Sequence, residues 1–373
     1  MIPARNTPRD QFTLESVGVV MQADPALPAE AWGVLNPASA RTTDGKLLLY
    51  PRVVAEGNFS RIEIVEVEGN GEFPARIERQ GYALEPREPY EHHLRSHGGV
   101  EDPRVTFLRP LGIYVMAYVA LGQHGPRIAL AVSEDCRGWK RLGLLTFKRE
   151  ANVDWSDHGN KDAAFFPDVV HDADGDPCLA VLHRPTYLVP RADGRVEKVL
   201  PEGVEDDRGS IWMSFVSLKD ALTDTYKLTS TYHSTLLATP EADWEALKIG
   251  SGTPPMLTSS GWVLYYHGVQ GKEPSPEDPT KNVCYRAGVM VLDRHDPRRI
   301  LYRSALPVLS PESPHELQGV VPSVVFPTAL DVVGQRIFVY YGAADSRVAL
   351  ATTVLDDEIL IPPSAPESAG TYA

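Results

Sequence analysis

Nine polar residues fall at corresponding points of five similar stretches of this chain: Asn36, Arg52, Asp102, Lys161, His183, Arg184, Lys248, His267 and Asp345. Guanidinium and ammonium groups hold anions, and the arginine fork suits the oxygens of a phosphate. An aspartate can deliver or accept a proton in a reaction, and amides and carboxylates take sugar-like hydroxyls by hydrogen bonding. One such group per stretch is more than surface decoration explains, and it predicts a ligand pocket. Asp102 also reads as a turn aspartate paired with Arg104, and the residues alone leave both readings open. No Gly-rich nucleotide loop, Gly-x-Ser-x-Gly elbow or metal-spaced His/Cys cluster is present. Asp154, Asp157 and His158 lie close together in a polar loop and read as solvated surface, so neither a metal nor an organic cofactor is expected.

The elements that must position these residues are strands. Apolar runs are short, rich in Val, Ile, Leu and Tyr, and punctuated by Gly and Pro, which is an all-β pattern. They recur as a unit. Each unit opens on a proline-bearing segment (Asn36-Pro37, Asp102-Pro103, Phe166-Pro167, Thr253-Pro254, Phe326-Pro327), with prolines 66, 64, 87 and 73 residues apart. A glycine turn, a strongly apolar strand and a closing strand follow in each. Five copies of a three- or four-stranded unit predict a five-bladed β-propeller with a central active-site pocket; a β-sandwich gives no reason for five copies. The expected division is an N-terminal extension over 1–30, the propeller over 31–355 and a tail over 356–373, with Leu188–Asp207 inserted over one face.

Fifty acidic against 36 basic residues give a formal charge of −14, which repels phosphate backbones and anionic lipid. Nucleic acid and membrane are therefore excluded as expected partners; a homo-oligomer stays open. No signal-peptide pattern opens the chain. Three well-separated cysteines (Cys136, Cys178, Cys284) fit neither a disulfide framework nor a zinc site and point to a reducing, cytoplasmic setting.

Several ordered motifs resemble those of glycoside hydrolase family 130, the mannoside phosphorylases and related β-mannosidases. They are Gly99-Val-Glu-Asp-Pro-Arg104, Asn160-Lys-Asp-Ala-Ala-Phe-Phe-Pro167, Leu182-His-Arg-Pro185 and Lys248-Ile-Gly-Ser-Gly-Thr-Pro-Pro255. Gly261-Trp-Val-Leu-Tyr-Tyr-His-Gly268, Tyr285-Arg-Ala-Gly288, Val325-Phe-Pro327 and Tyr340-Tyr-Gly-Ala-Ala-Asp345 complete the set. The resemblance implies a five-bladed propeller in which Asp102 is the general acid, working through the substrate's own 3-hydroxyl. It implies a phosphate site at Arg52, Arg184, Lys248 and His267, with Lys161 and Asp162 beside it. Mannose would be held by Asn36, His183 and Asp345, with Phe326 or Tyr266 as an apolar platform. Because residues alternate faces along a strand, only one of Glu101 and Asp102 is expected to face the pocket.

Inverting hydrolysis needs an acid and a base that activates water. Phosphorolysis needs the acid and cations to hold an anionic nucleophile in line. Retention of all four donors favours a phosphorylase that cleaves β-mannosides with inorganic phosphate as co-substrate. A hydrolase of the same family would use Asp162, Glu205, Asp206 or Asp207 as base, and a non-catalytic sugar-binding propeller is the third reading.

Overall fold

The computed structural model describes residues 11–69, 74–93, 97–149, 152–190, 195–272 and 282–359. It is a five-bladed β-propeller. Blade one runs through strands Gly33–Arg41, Leu47–Ala55, Phe59–Gly69 and Pro74–Leu84, and blade two through Gly98–Leu108, Ile113–Gly122, Gly125–Ser133 and Lys140–Leu144. Blade three uses Asn160–Phe165, Pro177–Pro185, Ile211–Ser217 and Ser230–Ala238. Blade four uses Lys248–Ser251, Gly261–Lys272, Asn282–Leu292 and Ile300–Arg303. Blade five combines Val325–Val333, Arg336–Ala343 and Arg347–Val354 with Glu15–Gln22, which pairs antiparallel with Arg347–Val354. Part of the segment expected as an extension is thus the outer strand of the last blade. Of the expected tail, residues 356–359 lie against the fourth blade through a Thr258–Ile359 bridge, and 360–373 are outside the described residues. The Leu188–Asp207 insertion carries a small hairpin, Leu188–Pro190 with Val196–Lys198.

Apolar burial shows why the sheets form a ring. Middle strands alternate apolar residues toward both neighbours: in blade four, Val263 and Tyr265 pack toward blade five, whereas Trp262, Leu264 and Tyr266 pack toward blade three. Leu179 and Val181 face blade two, and Ala180 and Leu182 face blade four. Five such clusters lie between successive blades, the last joining blade five to blade one through Phe338, Tyr340, Leu49 and Val65. Both faces of each middle strand are therefore dry, which is why the runs read as nearly continuous hydrophobics.

A second repeated device sits at the entrance to the blades. Short helical turns (3-10 at Pro89–Glu91 and Asp243–Glu245, α at Pro314–Leu317) carry a buried glutamate that accepts two upstream backbone N–H groups and a side-chain clamp. Glu91 takes the Tyr118 hydroxyl (2.7 Å) and Arg141 (2.8 Å). Glu245 takes Tyr266 (2.5 Å) and Arg303 (2.7 Å), and Glu316 takes Tyr341 (2.6 Å). These carboxylates anchor the chain just before the inner strands of blades two, four and five.

Candidate active site

The inner strands of the first three blades carry the same irregularity. The pairing register shifts between Leu35 and Ala38, between Glu101 and Arg104, and between Lys161 and Ala164. At each bulge the residue has positive φ: Asn36 at 45°, Asp102 at 45° and Asp162 at 57°. Asn and Asp tolerate this left-handed conformation better than other side chains. Across from the bulges, Arg52 is paired with Leu35, Arg184 with Lys161 and, in blade four, His267 with Gly250. The expected equivalence of Arg52, Arg184 and His267 is therefore a matter of register.

Two connected clusters result. In the first, Asn36 Nδ2 donates to Asp102 Oδ1 at 2.8 Å and Arg52 Nη1 lies 3.3 Å from the same oxygen. Arg52 Nη2 reaches Glu101 at 2.7 Å and its Nε donates to Ser60 Oγ at 2.9 Å. Glu101 and Asp102 thus both meet Arg52, against the expectation from strand alternation, because the bulge breaks the alternation between them. Asp345, at φ 48° in the turn between the last two strands of blade five, adds its charge to those acting on Arg52. Burial raises the Asp102 carboxyl, but Arg52, Lys161 and Arg104 outweigh it and hold the group below its ordinary value.

The second cluster centres on Asp162. Arg184 Nε donates to its Oδ2 at 2.6 Å, His267 Nε2 lies 3.6 Å from that oxygen, and Arg104 Nη2 lies 4.0 Å from Oδ1. Burial pushes Asp162 up, yet Arg184, His267, Arg104 and Lys161 together keep it well below the usual carboxylate range. Lys248 stands beside Arg184 across Gly209: a Cβ on that glycine would sit 3.1 Å from Lys248 Cβ and 3.4 Å from Arg184 Nη1. Phe326 closes the cluster, its ring 4.4 Å from that of His267 and 5.4 Å from the Arg104 guanidinium.

Arg104 joins the two clusters. Its Nη1 donates to the backbone carbonyl of Asp102 (2.8 Å) and its Nε to that of Gly252 (3.0 Å). It therefore braces the bulge rather than pairing with the Asp102 carboxylate. Lys161 contributes its charge to both Asp102 and Asp162.

Three expected site residues behave otherwise. His183 packs on Phe147 at 4.8 Å and bonds Asn160 and Ser214, and burial pushes it down to about 3. Neighbouring strand residues alternate, so with Arg184 at the axis His183 faces blade two. Tyr266 is turned away from the axis by the same rule and is held by Glu245 and Arg303; of the two suggested platforms, only Phe326 lies in the cluster. His267 is fully buried, and burial, helped by Arg184, Arg104 and Lys248 against Asp162, pushes it down to about 3. It is a neutral imidazole, not a cation. Of the other candidate bases, Asp206 is bound to Arg208 at 2.6 Å and Asp207 to Lys198. Trp212 and Trp262 are core residues, as their strand positions predict, and no metal-binding group is found among the described residues. Sequence reasoning gave no role to Gly209, Gly250 or Tyr285; the last meets Phe326 edge-on and lies tilted against His267.

The chain is similar to known proteins over most of its length. The family model described as β-1,4-mannooligosaccharide phosphorylase matches residues 34–361. A 1,2-β-oligomannan phosphorylase of Thermoanaerobacter sp. (strain X514) is 31% identical over 69% of this chain and 69% of its own length. A β-1,2-mannobiose phosphorylase of the same organism is 30% identical over 68% of this chain and 66% of its own. The solved β-1,2-mannobiose phosphorylase of Listeria innocua shares the fold, with a TM-score of 0.65 at 20% identity over 92% of this chain and 96% of that one. Bulge-borne aspartates, the axial arginines and a family match spanning all five blades lead to one assignment: the chain belongs to glycoside hydrolase family 130.

Proposed function

We propose that this protein is an inverting phosphorylase that cleaves β-mannosides of the manno-oligosaccharide class with inorganic phosphate, giving α-mannose 1-phosphate. The observation that carries this reading is the state of the second carboxylate. Asp162 is bound to Arg184 and surrounded by Arg104, Lys161 and His267, which hold its carboxyl low and make it a poor base for an attacking water. Next to it, Arg184 and Lys248 stand together across Gly209, where an anion can be held.

Asp102 is the acid in this scheme. A phosphate oxygen attacks the anomeric carbon from the face opposite the glycosidic bond. That bond breaks, and the leaving oxygen takes a proton from the 3-hydroxyl, which is replenished from Asp102. Arg52 and Lys161 depress Asp102 in the free protein. A phosphate dianion arriving beside these cations offsets their field and raises the carboxyl toward the protonated form the reaction requires. Asn36 holds Asp102 Oδ1 and, with Asp345, would take mannose hydroxyls, while Phe326 would offer an apolar face. The three free thiols fit a cytoplasmic setting.

Incubation with manno-oligosaccharides and increasing phosphate, followed by chromatography, tests the proposal. α-Mannose 1-phosphate formed only with phosphate is the expected result. Equal rates with and without phosphate, releasing free mannose, would instead establish a hydrolase.

A further inference from the structure

Asp162 occupies in blade three the bulge position that Asp102 occupies in blade two, and its backbone is turned the same way. The bulge delivers both side chains to the axis, but Asp162 meets Arg184. Building on the phosphorylase reading, we propose that Asp162 is a positioning residue for phosphate: it locks the Arg184 guanidinium and the His267 tautomer, and it does not act as a base.

The geometry of Arg184 is the main support. Asp162 binds it through Nε alone, at 2.6 Å, and Arg184 makes no other hydrogen bond among the described residues. The residue is 8% exposed, and its two terminal amino groups are donors left for another acceptor. An arginine held at Nε keeps its Nη1–Nη2 edge for a second anion, and a phosphate matches that edge with two oxygens. Without the anchor, a guanidinium on three methylenes would sample many rotamers, and fixing it would cost binding free energy.

His267 gives a second, independent sign. Both its ring nitrogens are buried and without a hydrogen-bond partner, and Nε2 faces the Asp162 carboxylate at 3.6 Å. A carboxylate at that position favours the tautomer with the proton on Nε2 and leaves Nδ1 bare. Space for this contact is kept by the residue paired opposite. A Cβ on Gly250 would fall 2.3 Å from Asp162 Oδ2 and 2.5 Å from His267 Cε1, nearer than real atoms approach.

Two variants and one spectrum test the proposal. Asp162→Asn keeps the shape and the tolerance for positive φ while removing the charge. Its KM for phosphate should rise about 10- to 100-fold, the range that one charge-assisted hydrogen bond commands. Its KM for the mannoside should stay within about threefold. Gly250→Ala retains every charge and should raise the phosphate KM in the same direction by displacing the carboxylate and the imidazole. In the unaltered protein, nitrogen-15 spectra of labelled histidine should show His267 neutral, protonated on Nε2, from pH 5 to 8 (about one and a half units either side of the ordinary value).

A cationic or mixed-tautomer His267 overturns the proposal even if both variants fail to fold. So does an Asp162→Asn protein that loses turnover at saturating phosphate while its phosphate KM is unchanged, which is how a lost base behaves. Release of mannose by the unaltered protein without phosphate would end the phosphorylase reading instead, and would leave the tautomer result to stand or fall separately.

Discussion

Asp102 and Asp162 sit at the same bulge of the innermost strand in consecutive blades, with φ of 45° and 57°, and differ in what holds them. Asn36 and Arg52 hold Asp102 from blade one, and Arg184 holds Asp162 from within its own blade. On the proposed reading, two carboxylates in like backbone settings take different roles because of their neighbours, Asp102 as the acid and Asp162 as a fixed anion. Asp102→Asn should fold and bind mannoside, since Asn also accepts positive φ, yet lose about 10²–10⁴-fold in turnover. Steady-state rates together with mannoside binding by calorimetry check this; more than about a tenth of parental activity contradicts the acid role.

Arg52 is a contact shared by Glu101 and Asp102, at 2.7 and 3.3 Å. Replacing it with glutamine removes the first-ranked of the charges that hold Asp102 down, so the Asp102 carboxyl should titrate at higher pH in the free protein. Carbon-13 spectra of labelled aspartate, recorded without substrate, report the midpoint directly. An unchanged or lower midpoint would mean that Lys161 and Arg104 set the value instead.

Tyr266→Phe should leave the KM for mannoside unaltered, because the hydroxyl lies in the clamp with Glu245 and Arg303 and not at the axis. Stability should fall by about 1–3 kcal/mol, the cost of stripping a partner from a buried charged group. Chemical denaturation and a mannoside titration of the same sample separate the two effects. A raised mannoside KM at undiminished stability would restore the platform reading.

Glu63, in blade one, is raised to about 7 by burial, then by Glu30, with Arg79 at 3.7 Å opposing. The folded state therefore binds this proton more tightly than the unfolded chain, whose glutamate titrates near 4.3. The contribution is fully present below the unfolded value and is lost as pH rises through about 7. Glu63→Gln, which cannot ionise, should nearly match the parent in thermal stability at about pH 4, below the unfolded midpoint, and exceed it at about pH 8, above the folded one. Melting curves at the two pH values decide it; a variant less stable at the higher pH runs against the assignment.

Five repeats and their strands are legible in the sequence because short apolar runs, buried on both faces and set off by Gly and Pro, leave a clear trace. What escaped is the phase of the third repeat. Pro37 and Pro103 directly follow the bulge residues Asn36 and Asp102, so proline marks the bulge in blades one and two. In blade three the residue after Asp162 is Ala163, and Phe166-Pro167 lies past the end of the Asn160–Phe165 strand. Aligning on proline therefore hid the equivalence of Asp162 with Asp102. Comparing Leu-Asn-Pro-Ala, Glu-Asp-Pro-Arg and Lys-Asp-Ala-Ala, each an Asn or Asp followed by a small or cyclic residue, would have exposed it. The misplacing of His183 and Tyr266 has a different cause. Each adjoins a true axial residue, Arg184 or His267, and motif matching is blind to which of two neighbours faces inward. The glutamate turns at Glu91, Glu245 and Glu316 are likewise separated by too much unrelated sequence to declare themselves, although Pro89-Tyr-Glu91 and Pro314-His-Glu316 share a pattern.

The pairing of Glu15–Gln22 with Arg347–Val354 ties residues more than three hundred positions apart. On a ribosome, the strand Glu15–Gln22 must wait, unpaired, until more than three hundred further residues have emerged, since its partner is Arg347–Val354. Asn36 and the Asp345 turn come into register across the same seam, through Gly33 beside Ser346 and Asn36 against Gly342. A nascent or C-terminally truncated chain can thus fold its middle blades and still lack an assembled sugar pocket, so that competence for catalysis arrives only with ring closure.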